Sequence, residues 1–149
     1  MSYNRKQTGF TIVELLIVIV VIGILAALVI TTFTGIQQKA RDTERQTDIK
    51  AIYGQVEAYY AQNGKYPALA DLNTATWRTT NMKGLDQEAL RDPKNSTATK
   101  YDLADTAAAN VYSYAVTPSG CDNSTTDCTA YTLTATLEGG GTFSKTNLN

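Results

Sequence analysis

Glu14 is a carboxylate set inside an apolar run. Of the 21 residues from Phe10 to Ile30, 18 are hydrophobic, and Leu15 to Ile30 is unbroken when Gly23 is counted as apolar. A carboxylate in such a segment costs up to about 3 kcal/mol toward the centre of a bilayer, and less near its edge. A plain membrane anchor gains nothing from it, so the residue asks for a cation. No lysine or arginine of the same chain stands at helical spacing, and Arg5 and Lys6 lie before Gly9, a break. A cut between Gly9 and Phe10 would create an α-amino group four residues before Glu14.

The other reactive residues exclude more than they offer. There is no histidine, which removes a Ser-His-Asp hydrolase, a Cys-His protease and a His-ligated zinc or haem site. Two cysteines, Cys121 and Cys128, are too few for a four-thiolate metal site. No nucleophile–base pair, phosphate loop or metal cluster is found, so no catalytic residue, metal or cofactor is assigned, and the chain is not read as an enzyme. Thirteen lysines and arginines against 14 aspartates and glutamates give a net charge of -1. That balance argues against a generally basic nucleic-acid binder. Lys39, Arg41, Arg45 and Lys50 alternate with Asp42, Glu44 and Asp48, which reads as a solvated or intersubunit charged face. A nucleic-acid partner is unsupported, because the interleaved acids weaken the field.

The element that positions Glu14 is a helix. Twenty-one residues rise roughly 30 Å, the thickness of a bilayer's hydrocarbon core. Apolar residues lie all round it, so it belongs in lipid or inside an assembly. Arg5 and Lys6 before it place the N-terminus in the cytoplasm and the remainder outside. The run exceeds the apolar region of a cleavable secretory signal, and no small-residue cleavage site follows it. The pattern continues as an apolar stripe: Ile49, Ile52, Val56 and Tyr59 recur at spacings of three and four. Asn63-Gly64 is a stop, with Pro67 beyond. A helix from Phe10 to about Gln62 would be about 80 Å long. Val29 to Gly35 is its weak stretch, costing about 4 kcal/mol relative to alanine, and this stretch or the Gly23 region is expected to loosen on assembly.

The residues Thr8-Gly9-Phe10-Thr11-Ile12-Val13-Glu14-Leu15-Leu16-Ile17-Val18-Ile19 resemble the class III signal of type IV prepilins, in the superfamily that also holds type II secretion pseudopilins. The resemblance is dense over residues 5 to 30. In that family a membrane aspartic peptidase removes a short basic leader after glycine and methylates the new N-terminal phenylalanine. The resemblance therefore implies a leader over 1–9 ending at Gly9, an N-methylated Phe10, and Glu14 as the carboxylate that meets a neighbouring subunit's ammonium during assembly. Tyr59 to Pro67 is similar to the Gly-x-Tyr-Pro helix exit of pilins. Many type IV pilins carry a proline near Thr31, and this chain has none there.

The implied fold is α+β: a long N-terminal α-helix, its hydrophobic first half protruding, packed against a small antiparallel sheet. The expected organisation is a cleaved leader over 1–9, an assembly helix over 10–35 and a head over 36–149. Residues 65–110 read as a long connection, with one short capped helix at Asp86 to Arg91 and Trp77 packing on the head. Period-two alternation predicts strands over Val111–Val116, Tyr131–Leu137 and Thr142–Thr146. In an exported head Cys121 and Cys128 most simply form one disulfide. Asp122, Asn123 and Asp127 between them match no calcium motif. Asn95-Ser96-Thr97 and Asn123-Ser124-Thr125 are formal glycosylation sequons.

The expected function is a filament subunit of a type IV pilus: a single-pass cytoplasmic-membrane precursor that becomes an extracellular homopolymer. Its partners would be further copies of itself, the prepilin peptidase and methyltransferase, the pilus assembly platform and, before assembly, the lipid bilayer. A type II secretion pseudopilin and a minor or competence pilin share every N-terminal feature. A monomeric membrane-tethered binding module is a rival of another class, and it predicts an intact leader.

Overall fold

The computed structural model describes residues 9–148, the side chain of Thr31 excepted. The chain divides into two compact units, Met1–Gln37 and Gln38–Asn149. Arg5, Lys6 and the expected leader up to residue 8 lie outside the described residues.

One helix, α1, spans Ile12–Asn63. In the first unit its apolar side chains are exposed, from Ile12 at 85% to Ile36 at 65%. The helix runs unbroken through 29–35, the stretch of weakest intrinsic propensity. There Thr32 donates its hydroxyl to the carbonyl of Val29 at 2.9 Å, so a polar side chain within an apolar helix satisfies itself locally. The helix ends where Gly64 adopts φ 72° and its N–H reaches the carbonyl of Tyr60 at 2.7 Å. Glycine enters that left-handed conformation without a Cβ penalty, which is why the stop falls there.

In the second unit Ile49, Ile52 and Val56 of α1 are fully buried, as their spacing predicts. Each is worth about 1.5–3 kcal/mol of transfer from water. They meet a three-stranded antiparallel meander, β1 Ser113–Thr117, β2 Ala130–Thr136 and β3 Thr142–Thr146, in the order β1-β2-β3. Tyr131, Leu133 and Ala135 of β2 point inward and are buried, while the alternate residues are partly exposed. Five tyrosines knit this core: Tyr66 stacks on Tyr60 at 4.3 Å between ring centres and meets Tyr131 edge-on at 4.8 Å, and Tyr131 also touches Tyr53 and Tyr114.

Three expectations need correction. The first strand begins at Ser113 rather than Val111, because Tyr112 gives its carbonyl to the N–H of Ala104 instead of to β2. Residues 65–110 are not a plain connection: α2 (Leu69–Asn73) and α3 (Ala75–Asn81) precede the expected short helix, a 3-10 turn over Gln87–Leu90. Elements of five and seven residues are too short to leave a period in the sequence. The expected cap is present, with Asp86 accepting from the N–H of Glu88 at 3.0 Å. Trp77 packs on Tyr59 at 5.1 Å, as expected.

The third correction concerns the charged face. Arg45 is 0% exposed and is the hub of an ionic cluster. Its Nε donates to Asp92 at 2.7 Å, Nη2 to the other Asp92 oxygen at 3.0 Å, and Nη1 to Asp42 at 2.8 Å and Glu138 at 2.9 Å. Arg41 and Lys94 close on Glu138 from outside at 2.7 and 3.0 Å. These hydrogen bonds, Arg41's first, hold the Glu138 carboxyl far below the usual carboxylate range. The alternating charges of α1 thus tie the helix to the loop at Asp92 and to the β2–β3 turn. Asp48, one turn further on, accepts from the hydroxyl of Tyr112 at 2.7 Å. Burial pushes its pKa up to about 6, with Glu44 and Asp92 adding to the rise.

Candidate functional site

Gly9, Phe10 and Thr11 form no regular structure and are exposed. Among the described residues, nothing beyond Gly9 and its chain neighbours lies within 4 Å of where a Gly9 side chain would begin. The junction between Gly9 and Phe10 is therefore open, irregular backbone, the kind that a protease can draw into a cleft.

Immediately after it, Thr11 caps α1. Its carbonyl accepts the N–H of Leu15 at 3.2 Å, and its hydroxyl accepts the N–H of Glu14 at 3.2 Å. Glu14 reaches back: its Oε2 accepts from the N–H of Thr11 at 2.8 Å and from the Thr11 hydroxyl at 2.7 Å. This is a capping box, two otherwise unpaired helix donors satisfied reciprocally. It also sets a carboxylate against the positive end of the helix dipole. The Thr-x-x-Glu spacing of Thr11 and Glu14 is the sequence signal for this cap. Among the described residues no lysine or arginine forms an ion pair with Glu14.

At the far end of the chain Cys121 and Cys128 are joined, with Cα atoms 5.3 Å apart. The loop they close is pinned to the exit of α1. Tyr66 donates its N–H to the carbonyl of Cys128 at 3.0 Å, Asn123 donates its amide to the carbonyl of Tyr66 at 2.7 Å, and Lys65 reaches both the carbonyl of Asn123 and Asp127. Within the loop Asp122 accepts from the backbone of Thr125 at 2.8 Å and of Ser124 at 2.9 Å. Those bonds hold its carboxyl far below the usual carboxylate range. The oxygens weighed for calcium are thus engaged by the protein's own donors. Among the described residues no group of three histidine, cysteine or acidic side chains is placed to hold a metal ion.

The sequons are equally occupied. Asn95 is 6% exposed and its carbonyl oxygen accepts from the N–H and the hydroxyl of Thr97. Asn123 uses its amide on Tyr66 and its oxygen on the N–H of Cys128.

A family model described as the prokaryotic N-terminal methylation motif matches residues 4–30. The chain is 35% identical over 69 residues to the type IV major pilin protein PilA of Myxococcus xanthus, covering 46% of this chain and 31% of that one. It is 40% identical over 67 residues to the type II secretion system core protein G of Vibrio cholerae, covering 45% and 46%. It is 41% identical over 65 residues to the same-named protein of Pseudomonas aeruginosa, covering 44% and 46%. The chain thus spans less than half the length of these relatives. No solved structure matches it. The long N-terminal helix, the three-stranded antiparallel sheet and the methylation motif together match the chain to the superfamily of type IV pilins and type II secretion pseudopilins.

Proposed function

We propose that the chain is a prepilin that is cut after Gly9, methylated on the amino group of Phe10 and polymerised into a type IV pilus. The observation that carries this reading is the open Gly9–Phe10 junction directly before a capped apolar helix that holds Glu14 in its first turn. Before assembly, residues 10–35 cross the cytoplasmic membrane with the N-terminus inside, and residues 36–149 form the exported head. Removal of the leader takes Arg5 and Lys6 with it, leaving 11 basic and 14 acidic side chains, a net charge of -3. It also creates a cation at Phe10. In a filament of parallel helices each Glu14 meets the ammonium of a neighbouring copy, and opposite charges about 4 Å apart attract by roughly 4 kcal/mol at an effective dielectric of 20. That pairing sets the register of each incoming subunit. The peptidase, the assembly platform and other copies of the chain are its partners, and it performs no chemistry of its own.

A pseudopilin of a type II secretion system is the second reading, favoured by the similarity to core protein G of several bacteria. Mass spectrometry of the membrane-extracted chain tests both: N-methyl-Phe10 at the terminus is expected, and a chain beginning at Met1 refutes them together. Sheared surface filaments then separate the two. A filament fraction built from this chain supports the pilus, and its absence from that fraction supports the pseudopilin.

A further inference from the structure

Beside α3 and the 3-10 turn lies a cavity of about 180 Å³. Arg78, Thr79, Lys83 and Gln87 supply its polar lining, Met82 and Leu90 part of its apolar wall, and no carboxylate lines it among the described residues. Arg78 is only 7% exposed. Among the described residues its side chain makes one hydrogen bond, from Nη1 to the carbonyl of Leu72, and no ion pair. Burial depresses its pKa, and Asp102 opposes that only from a distance.

Arg45, the other buried arginine, is met by three carboxylates. A buried cation without such a partner is costly, because nothing replaces the water it has lost. Among the described residues no buried side-chain nitrogen is left without an acceptor. Nε and Nη2 of Arg78, which have none, therefore touch accessible space. Those two nitrogens form the planar edge of a guanidinium that receives both oxygens of a carboxylate.

We propose that this cavity is a carboxylate-binding site, in which the Nε–Nη2 edge of Arg78 takes both oxygens and Lys83 at the rim supplies a second positive charge. The apolar walls suit a carboxylate carried on carbon better than a fully hydrated inorganic anion. The carboxylate is either an acidic side chain of a second copy or a small free acid. The inference uses only the head and stands whether or not the chain forms filaments.

The test is a nitrogen-15 titration of the arginine side chains of the full-length chain in detergent micelles. Acetate is added against chloride at a fixed ionic strength of about 0.1 M, where charges further apart than about 10 Å are screened. A saturable shift of the Arg78 Nε resonance with acetate alone is expected, with saturation several-fold weaker in Lys83→Gln, an exposed and structurally mild change. Arg78→Lys, checked for folding by near-ultraviolet circular dichroism, should abolish the fork and with it the tight binding. A shift that grows with the chain's own concentration assigns the carboxylate to a second copy, and one that needs added acetate assigns it to a small acid. An Arg78 resonance that responds neither to acetate nor to the chain's own concentration, or that follows chloride equally, overturns the proposal.

Discussion

Replacing Arg45 by methionine removes the hub of the ionic cluster while nearly preserving its volume. The consequences for its three partners differ. Glu138 keeps Arg41 and Lys94, and Asp42 keeps the N–H groups of Glu138 and Gly139 at 2.8 and 2.9 Å. Asp92, 1% exposed, keeps only the N–H of Lys94 at 2.8 Å and has no other cation among the described residues. The penalty therefore concentrates on one stranded carboxylate. Breaking a buried pair costs about 3–5 kcal/mol, but the stranded group escapes by taking up a proton. That escape costs about 1.4 kcal/mol for each pH unit above an ordinary carboxylate's range, so the three units from about pH 4 to pH 7 cap the loss near 4 kcal/mol. Arg45→Met is thus expected to lose about 3–4 kcal/mol at pH 7 and about 1 kcal/mol at pH 4. The sign follows from linkage: in the variant the folded state binds a proton that the unfolded state does not, so its stability falls as pH rises. Urea unfolding in detergent micelles, read by the near-ultraviolet signal of the buried tyrosines, measures this at constant ionic strength. Arg41→Met, whose side chain is 28% exposed, is the control and should lose no more than about 1 kcal/mol. A loss below about 1 kcal/mol for Arg45→Met at pH 7, or one equal at both pH values, refutes the reasoning.

Asp48, raised to about 6 by burial, contributes most below the unfolded carboxylate range and loses that contribution as pH climbs through 6; Asp48→Asn should flatten the stability profile there and gain up to about 2–3 kcal/mol at pH 7. A carbon-13 titration of the Asp48 carboxyl with an ordinary acidic midpoint would contradict this. Opening the small Cys121–Cys128 loop by Cys121→Ser with Cys128→Ser should cost about 2–3 kcal/mol on the chain-entropy estimate, with the loss showing first in hydrogen exchange at Tyr66. Thr11→Ala should weaken the start of α1 by about 1 kcal/mol yet leave filaments, whereas Glu14→Gln preserves an acceptor for Thr11 but removes the charge and should abolish them after normal processing. Filament counts by electron microscopy separate the cap from the charge.

Much of the architecture follows from local periodicity. The apolar run, the stripe through Ile49, Ile52 and Val56, the stop at Gly64 and the alternation through Tyr131, Leu133 and Ala135 each announce an element, because a helix or strand repeats its burial every few residues. Glu14 stands out in the sequence for another reason: a charge within an apolar segment contradicts its surroundings. The sequence did not disclose which charges of α1 would be buried. Arg41, Arg45 and Asp48 look alike along the helix. Only the approach of Asp92, 47 residues from Arg45, and of Glu138, 93 residues away, takes Arg45 into the interior. Arg78 likewise carries no signal of its own in the sequence, and it is the packing of α2 and α3 that sets it against the carbonyl of Leu72. Periodicity describes one element at a time, whereas the environment of a charge is set by segments that meet only in the folded chain.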